Sequence, residues 1–339
     1  MKKKLLMLLF TLGLTAAAAP HVFAAQPPPN YMASVDGYAP ADYDGDGVAD
    51  FAIKDFSGAW AIDYAANGFG TYDEVYFGYG GQNNLPVPQD YDGDGRADLA
   101  VKSNDQGRWN IDYAYNGYGV WDVSYAGYGS ADNRPVPADY DGDGLADFAV
   151  KSNSQGRWNI DFAANGFGVW DLSRAGYGGA ENIPVPADFD ADGKADFAIW
   201  AASGVWAGTF NIDYARNGFG AWDASLHNVL PGPGRPAAGN FDGDCYMDFS
   251  VKRDDGSWHI LLQGSGGSYP PNCFLGSTFL GFRYVTYYGY GGGLHRPVPA
   301  RYDADAATDL AVRAEVNPTS FAVDYAFNGF GAWDAVHHP

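Results

Sequence analysis

Cysteine and glutamate are scarce in this chain of 339 residues, and both shortages restrict what the protein can be. Cys245 and Cys273 are the only two cysteines, too few for a zinc or redox framework. Glutamate occurs only at positions 74, 181 and 315, although the chain has 41 acidic residues. A solvated acidic surface normally uses both acids, whereas aspartate by itself indicates turns and loops with oxygen ligands.

Basic residues and long hydrophobic runs are also few. With 20 basic residues the formal charge is -21, which disfavours binding to nucleic acid or to anionic lipid. One apolar run, at residues 5–19, follows three lysines and precedes small residues, an order typical of a secretory signal peptide. We expect cleavage after residue 24 and a secreted protein, extracellular or periplasmic. No later run is long enough to span a bilayer, so we expect no membrane insertion.

Glycine, tyrosine and tryptophan are abundant, with 46, 24 and 10 copies, and favour strands joined by tight turns over helices. The dominant pattern is Pro-Val-Pro-Ala-Asp-Tyr-Asp-Gly-Asp-Gly followed by Ala-Asp-Phe-Ala-Val-Lys, which recurs about every fifty residues. Six copies cover residues 35–339, after a proline-rich leader at residues 25–34. They begin near residues 35, 84, 133, 182, 234 and 295.

Each repeat has the pattern of four short strands, which we name A, B, C and D. In the fourth repeat, residues 184–188 and 196–200 predict strands A and B. In the third, residues 157–163 alternate in polarity, as a half-buried strand C does. Asn165-Gly166 predicts a type I′ hairpin turn, and residues 167–173 predict strand D.

A single four-stranded meander cannot bury both of its faces, so the repeats must pack against each other. Radially arranged units of this length form a β-propeller, whereas a linear solenoid needs shorter rungs and independent domains need more core per repeat. We therefore predict an all-β fold, a propeller of six four-stranded blades. Closure of the ring as seven blades remains an alternative.

The loop between strands A and B carries aspartates at fixed spacing. Oxygens from positions 1, 3, 5 and 9 and the carbonyl of position 7 can converge on one hard cation, and glycine at position 6 permits the sharp turn. Oxygen-only ligands favour calcium over magnesium or zinc, although Asp-Gly pairs can simply form polar hairpins. The predicted ligands of four full loops are Asp42, Asp44, Asp46, Val48 and Asp50; Asp90, Asp92, Asp94, Arg96 and Asp98; Asp139, Asp141, Asp143, Leu145 and Asp147; and Asp188, Asp190, Asp192, Lys194 and Asp196.

An EF-hand is excluded, because Ile53, Val101, Val150 and Ile199 stand where its glutamate belongs. The fifth loop has Cys245 in place of the glycine, and we expect a weaker site there. Its predicted ligands are Asn240, Asp242, Asp244, Tyr246 and Asp248.

The sixth loop has Arg301 at position 1. We expect this guanidinium to neutralise the aspartates that remain, so that no metal binds. Those aspartates are Asp303, Asp305 and Asp309.

Cys245 and Cys273 are expected to form the single disulfide of an exported protein. Cys273 lies in an insertion at residues 264–278, which replaces the Asn-Gly turn between strands C and D of the fifth repeat. The A–B and C–D connections share one end of a meander, within reach of a bridge. Closing a loop of about 29 residues should stabilise the fold by roughly 3 kcal/mol. Intact mass after denaturing alkylation, with and without reductant, checks this, and two free thiols would contradict it.

At these loops the chain resembles the FG-GAP and VCBS repeat families, which include the integrin α-subunit head. The resemblance covers residues 35–339, although Gly127-Tyr128-Gly129 and Pro135-Val136-Pro137 stand in place of the literal FG-GAP phrase. It implies structural calcium on the A–B hairpins and adhesion or ligand recognition elsewhere. Integrin-like propellers commonly have seven blades, which differs from the six repeats counted here.

A ligand surface is expected at the end of the blades opposite the calcium loops, where B–C turns and D–A connections meet. Aromatic rings beside arginine can stack on sugars and bind their hydroxyls, so we expect a glycan or cell-surface ligand. The alternative is that these rings are core residues between blades. The candidate ligand-binding residues are Tyr79, Tyr128, Tyr177, Tyr290, Arg108 and Arg157.

Three functions are compatible with this pattern. The first is a non-catalytic recognition or adhesion module. The second is a polysaccharide lyase or hydrolase, which needs a convergent acid and base that the scattered histidines and rare glutamates do not provide. The third is a structural matrix protein. We favour the first and expect no enzymatic activity.

Overall fold

The computed structural model describes residues 37–230, 233–244, 246–264, 281–314 and 320–338. Within these ranges 24 strands form six antiparallel sheets, each of four strands that are consecutive in sequence. The predicted propeller of six four-stranded blades is therefore confirmed. The signal peptide, the leader and the predicted disulfide between Cys245 and Cys273 lie outside the described residues and remain predictions.

The blades follow one another along the chain, and each contributes strands A to D in order. Their bounds are Gly37–Tyr38, Phe51–Lys54, Trp60–Asp63 and Glu74–Tyr76 in blade 1; Asn84–Pro86, Leu99–Ser103, Arg108–Asp112 and Val123–Ala126 in blade 2; Asn133–Pro135, Phe148–Ser152, Arg157–Asp161 and Leu172–Ala175 in blade 3; Asn182–Pro184, Phe197–Ala201, Thr209–Asp213 and Ala224–His227 in blade 4; Arg235–Gly239, Asp248–Lys252, Trp258–Gln263 and Phe282–Tyr287 in blade 5; and His295–Pro297, Leu310–Ala314, Phe321–Asp324 and Ala335–His337 in blade 6.

Strand A is shorter than predicted in the fourth repeat and begins two residues earlier. It spans Asn182–Pro184, and only an isolated bridge between Ala187 and Asp196 continues the pairing toward the loop. Pro184 and Pro186 have no N–H to donate, so the ladder cannot run unbroken.

The connection between strands C and D is wider than the predicted type I′ turn. In blade 3, Ala163–Asn165 forms a 3-10 turn, Gly166 has φ of 83°, and strand D begins at Leu172 rather than residue 167. The Asp171 carboxylate holds this loop open by accepting from the Phe162 amide and the Asn165 side chain. The 3-10 turns of the described chain are Ala65–Asn67, Ala114–Asn116, Ala163–Asn165, Ala215–Asn217 and Ala326–Asn328.

The core lies between blades. Strands B and C of each blade send alternate residues to the preceding and following blades, as the two faces of a pleated strand require. Six clusters of buried apolar residues result, one at each junction of neighbouring blades. Strands A contact each other between blades 1 and 2 and between blades 5 and 6, whereas strands D are the most exposed. Strand A is therefore innermost and strand D outermost.

The ring closes with six blades, which excludes the seven-bladed alternative. Phe51 of blade 1 stacks on Phe321 of blade 6, with ring centroids 4.0 Å apart. Tyr302 of blade 6 joins the same cluster. The two terminal blades thus meet by packing, and each keeps four strands of its own repeat. In the part of the chain that the structure describes, no helix is long and apolar enough to cross a membrane.

Candidate functional site

Two ends of the propeller carry different chemistry. The end we call the loop end has the A–B loops and C–D connections, because both join strands on the same side of a meander. The other, which we call the turn end, has the B–C turns and the linkers from strand D to the next strand A. Asp42 to Asp50 lie at the loop end, whereas Arg108 and Arg157 begin strands C at the turn end.

The aspartates of each A–B loop hold its backbone together. Asp42 accepts hydrogen bonds from the amides of Gly45 and Gly47. Asp50, at position 9, is fully buried and accepts from the amides of Tyr43 and Ala65, so it ties the A–B loop to the C–D connection. The equivalent residue of every other blade makes the same pair of bonds. These residues are Asp98, Asp147, Asp196, Asp248 and Asp309.

Carboxylates converge in five of the six loops. In each group one oxygen from every residue lies within 4.8 Å of the others. Such oxygen-rich clusters suit a hard cation with flexible coordination, which is the donor chemistry of calcium. Both carboxylate oxygens of Asp190 are buried without a hydrogen bond, and one of them forms an ion pair with Nε of Arg216 at 3.0 Å. The groups are Asp42, Asp44 and Asp50; Asp90, Asp92 and Asp94; Asp139, Asp141 and Asp147; Asp188, Asp190 and Asp196; and Asp303, Asp305 and Asp309.

Burial makes the charge at position 9 costly without a cation. Desolvation, opposed by the backbone hydrogen bonds, raises the pKa of Asp50 and Asp309 to about 7 and that of Asp98 and Asp147 to about 8. The pKa of Asp196 rises to about 9 for the same reason. Repulsion from the neighbouring aspartates adds to each shift. A bound cation would supply the missing compensation.

Position 7 contributes an inter-blade contact in addition to its predicted carbonyl ligand. Its amide donates to the aspartate at position 5, as from Val48 to Asp46. The side chains of Arg96, Leu145 and Lys194 lie against the position-4 glycines of the preceding loops. The backbone amide of Tyr246 donates in the same way to Asp244.

The fifth and sixth loops differ from expectation in their geometry. In the fifth, the Asn240 side-chain amide donates to the carbonyl of Asp244, and no carboxylate triad forms among the described residues. In the sixth, the Arg301 guanidinium donates to the carbonyl of Gly47 in blade 1. This hydrogen bond helps to close the ring, and the positive charge of Arg301 also lowers the pKa of Asp305 in its own loop, against the larger raising effect of burial. The absence of a metal from the sixth loop stays a prediction. The carboxylates of the sixth loop still converge, but from positions 3, 5 and 9.

Backbone hydrogen bonds connect the six loops into a ring. The amide at position 8 of each loop donates to the carbonyl at position 1 of the loop before it, as from Ala97 to Asp42 at 2.7 Å. The bond from Ala49 to Arg301, also 2.7 Å, joins blade 1 to blade 6 and completes the circle. The six loops are thus joined to one another directly through the backbone.

The four tyrosines predicted as ligand platforms are buried, and that prediction is wrong. Tyr79, Tyr128, Tyr177 and Tyr290 are each at most 2% exposed. Their hydroxyls reach into the next blade and donate to Asp112, Asp161, Asp213 and Asp324, respectively. Their rings pack edge-on against Trp121, Trp170, Trp222 and Trp333. They join blades, as the alternative interpretation holds.

Arg108 and Arg157 lie at the turn end, half-exposed. Each donates to a serine of strand D, Ser124 or Ser173, which in turn donates to an asparagine of strand C. The predicted sugar site combined these arginines with the four tyrosines, whose rings are buried and not available for stacking.

Buried lysines at the end of strand B were missed by the sequence analysis, although the recurring Ala-Val-Lys contains them. Lys102 is fully buried, and its ammonium donates to the Asn104 side chain and to the carbonyls of Ser130 and Asn133 at 2.6 to 3.0 Å. Desolvation lowers its pKa to about 8. Lys54, Lys151 and Lys252 hold the linkers of their blades in the same way.

Replacing Lys102 by methionine is expected to destabilise the protein by about 1–3 kcal/mol, because buried carbonyls lose their donor. Arg108→Met, in the same blade, removes one charge without stranding a buried carbonyl and should change stability by less than about 0.5 kcal/mol. Urea unfolding of the two variants checks this. Equal midpoints would contradict a structural role for the lysine.

A cavity of about 300 Å³ opens at the turn end where blade 5 meets blade 6. Arg235, Arg253 and Arg296 line it together with Asp254 and Asp255. The sequence analysis did not find it, because its arginines come from strand A of two blades and from one B–C turn. The available signal was arginine at the same strand-A position in two consecutive repeats.

No protein-family model and no curated protein matches the sequence. Among solved structures, a lectin of Agrocybe aegerita, described as recognising non-reducing terminal N-acetylglucosamine, aligns over 90% of this chain and 80% of its own. The two are 18% identical, with a TM-score of 0.56. They share a fold. The Cps50 (Swd1) β-propeller domain of Myceliophteria thermophila aligns over 91% of this chain and 88% of its own, with 10% identity and a TM-score of 0.49.

Proposed function

We propose that the protein is a secreted, calcium-loaded propeller that recognises a glycan or cell-surface polymer without catalysing a reaction. The observation that carries the calcium assignment is the repeated convergence of three carboxylates in five loops. One such cluster is common on protein surfaces, but clusters in five equivalent loops indicate a repeated ligand design. Calcium then serves as structural support.

Recognition is assigned to the turn end. The lectin that shares the fold binds a sugar, which supports glycan recognition for this chain. Trp206 lies in the B–C turn of blade 4 and is 65% exposed, in contrast to the buried tyrosines. An exposed indole ring suits stacking on the apolar face of a sugar.

We expect no catalysis, because the scattered histidines and rare glutamates of the sequence do not form a repeated acid and base signature. One serine and histidine pair has catalytic residue types: the Ser257 hydroxyl lies 2.9 Å from Nε2 of His259. Both side chains are buried, and the Ser257 hydroxyl also donates to Asp255. The other ring nitrogen of His259 contacts the hydroxyls of Tyr284 and Thr286, so the network joins strands C and D.

A glycan array probed with the mature protein in calcium tests the proposal. Selective retention, lost by about tenfold in Trp206→Ala (about 1.4 kcal/mol), is expected. Tyr115→Ala, which removes an exposed ring at the loop end, is the matched control and should bind normally. Shortening of a polysaccharide by the protein would support a lyase or hydrolase instead. Failure to retain any saccharide would contradict the recognition function.

A further inference from the structure

The cavity at the turn end lies where two neighbouring blades both have arginine at one strand-A position. This position pairs with the strand-B position of the buried lysines, and it is Arg235 in blade 5 and Arg296 in blade 6. The same position is Arg134 in blade 3, but Leu85 in blade 2 and Ile183 in blade 4. Because blades 2 and 4 form without a cation there, the fold itself does not require arginine at this position.

Adjacent blades bring the two arginines together. Strand A is innermost, so Arg235 and Arg296 lie near the axis of the ring and line one cavity. Arg253, from the B–C turn of blade 5, supplies a third guanidinium, whereas the equivalent residues Ser103 and Ser152 are neutral. The volume of about 300 Å³ is at the lower end of the range for small-ligand sites.

The charge of the cavity opposes that of the molecule. Three guanidinium groups face two carboxylates there, and the buried ammonium of Lys252 lies close enough to interact with Arg235 and Arg296. The chain as a whole has a formal charge of -21. A local concentration of guanidinium groups on such a protein is suited to carboxylate recognition, since the planar fork matches the two oxygens.

Arg235 is held in position, but its counter-ion is not. One terminal nitrogen donates to the Gly293 carbonyl at 2.9 Å, and the other to the Asp254 carboxylate. Its Nε is buried without a hydrogen bond. The side chain of Arg235 is 15% exposed and that of Asp254 73%. An ion pair with so exposed a carboxylate contributes at most about 1 kcal/mol, so an incoming carboxylate can displace Asp254 at little cost.

We propose that this cavity binds the carboxylate of an acidic saccharide, with Arg235, Arg253 and Arg296 as its recognition groups and Asp254 as a displaceable competitor. The inference rests on the proposed glycan recognition and specifies its chemical class. A uronic-acid residue has one carboxylate per ring. The acidic remainder of the surface repels a densely sulfated polymer more strongly than such a ligand.

The test uses the calcium-loaded full mature chain and isothermal titration with a hexuronic-acid oligosaccharide. Its carboxyl-reduced counterpart and a sulfated oligosaccharide of equal length are the comparison ligands. Arg253→Gln and Arg296→Gln are each expected to weaken binding about tenfold to a hundredfold, the usual effect of losing a charged hydrogen bond. Asp254→Asn should strengthen binding several-fold, because the competing charge is gone. Arg174→Gln, which removes an exposed charge on strand D of blade 3, is the control.

Opposite effects of the Arg253 and Asp254 variants, with unchanged melting temperatures, would support the inference. Equal binding of the carboxyl-reduced ligand, or tighter binding of the sulfated one, would overturn it. The inference would also be overturned if Arg253→Gln and Arg296→Gln bound the oligosaccharide as tightly as the control variant Arg174→Gln. If the protein retains neutral saccharides independently of the cavity, only this inference fails. If it retains no saccharide at all, the proposed function fails with it.

Discussion

Removal of calcium is expected to lower the melting temperature by more than about 10 °C, since each loop loaded at a hundredfold excess over its dissociation constant contributes about 2.7 kcal/mol. The physical reason is the approach of three carboxylates to within 4.8 Å in each cluster. Without a cation they repel one another, and burial removes the water that would screen them. Differential scanning calorimetry in calcium and in excess chelator measures the shift. An unchanged transition in chelator would contradict calcium loading.

The effect of calcium should increase with pH. The pKa values of Asp50, Asp98, Asp147 and Asp309 are raised by burial to about 7 to 8, far above 3.8. The folded metal-free protein therefore binds protons that the unfolded chain has released. The stability that this proton binding contributes is fully present below about pH 4 and is lost as the pH rises through 7 to 8. The melting temperature in chelator should decrease as the pH rises from 5 to 9. In calcium, most of that decrease should be absent.

Asp190→Asn provides a matched variant for the same experiment. Asp190 makes an ion pair with Arg216 at 3.0 Å, and both of its oxygens are otherwise unbonded. Neutralising it should leave the melting temperature in chelator unchanged or higher, because repulsion within the fourth loop decreases. The increase in melting temperature on adding calcium should be smaller than in the unsubstituted protein. If the substitution lowered the melting temperature equally in chelator and in calcium, Asp190 would have a packing role instead.

Replacing Tyr128 and Tyr177 together by alanine is expected to lower the free energy of unfolding by about 3–5 kcal/mol for each of the two blade junctions. The Tyr128 ring contacts Trp109, Phe148 and Trp170, with centroids 4.8 to 6.1 Å apart. Its hydroxyl is a donor to the buried Asp161. The two tyrosines occupy different junctions, so their effects should add. Urea unfolding measures the loss.

Two further variants separate packing from hydrogen bonding. Tyr128→Phe keeps the ring and leaves the buried Asp161 with one donor fewer, so a cost of about 1–3 kcal/mol is expected. Tyr115→Ala removes an exposed ring and should be nearly neutral. If the double alanine variant kept its stability and lost only ligand binding, the tyrosines would be a ligand surface after all.

Repetition made much of the fold predictable. A repeat of about fifty residues with four strand signals leaves few ways to bury both faces of a meander, so blade number and strand order followed from the sequence. The spacing of Asp188, Asp190 and Asp196 likewise anticipated a cluster, because one hairpin loop brings these residues together. These features depend on residues close in sequence, whose geometry is set by strand alternation and turn chemistry.

Features that join different blades required the tertiary structure. Tyr128 and Asp161 are in contact across a junction between blades. Arg301 of the last blade donates to the carbonyl of Gly47 in the first blade. Arg235 and Arg296 share a cavity only because the ring places blades 5 and 6 side by side. Sequence spacing shows which residues share a strand or loop, but not which side chain from the next blade meets them. Packing between blades therefore decided whether a tyrosine is buried or exposed. It also decided which arginine side chains line the same cavity.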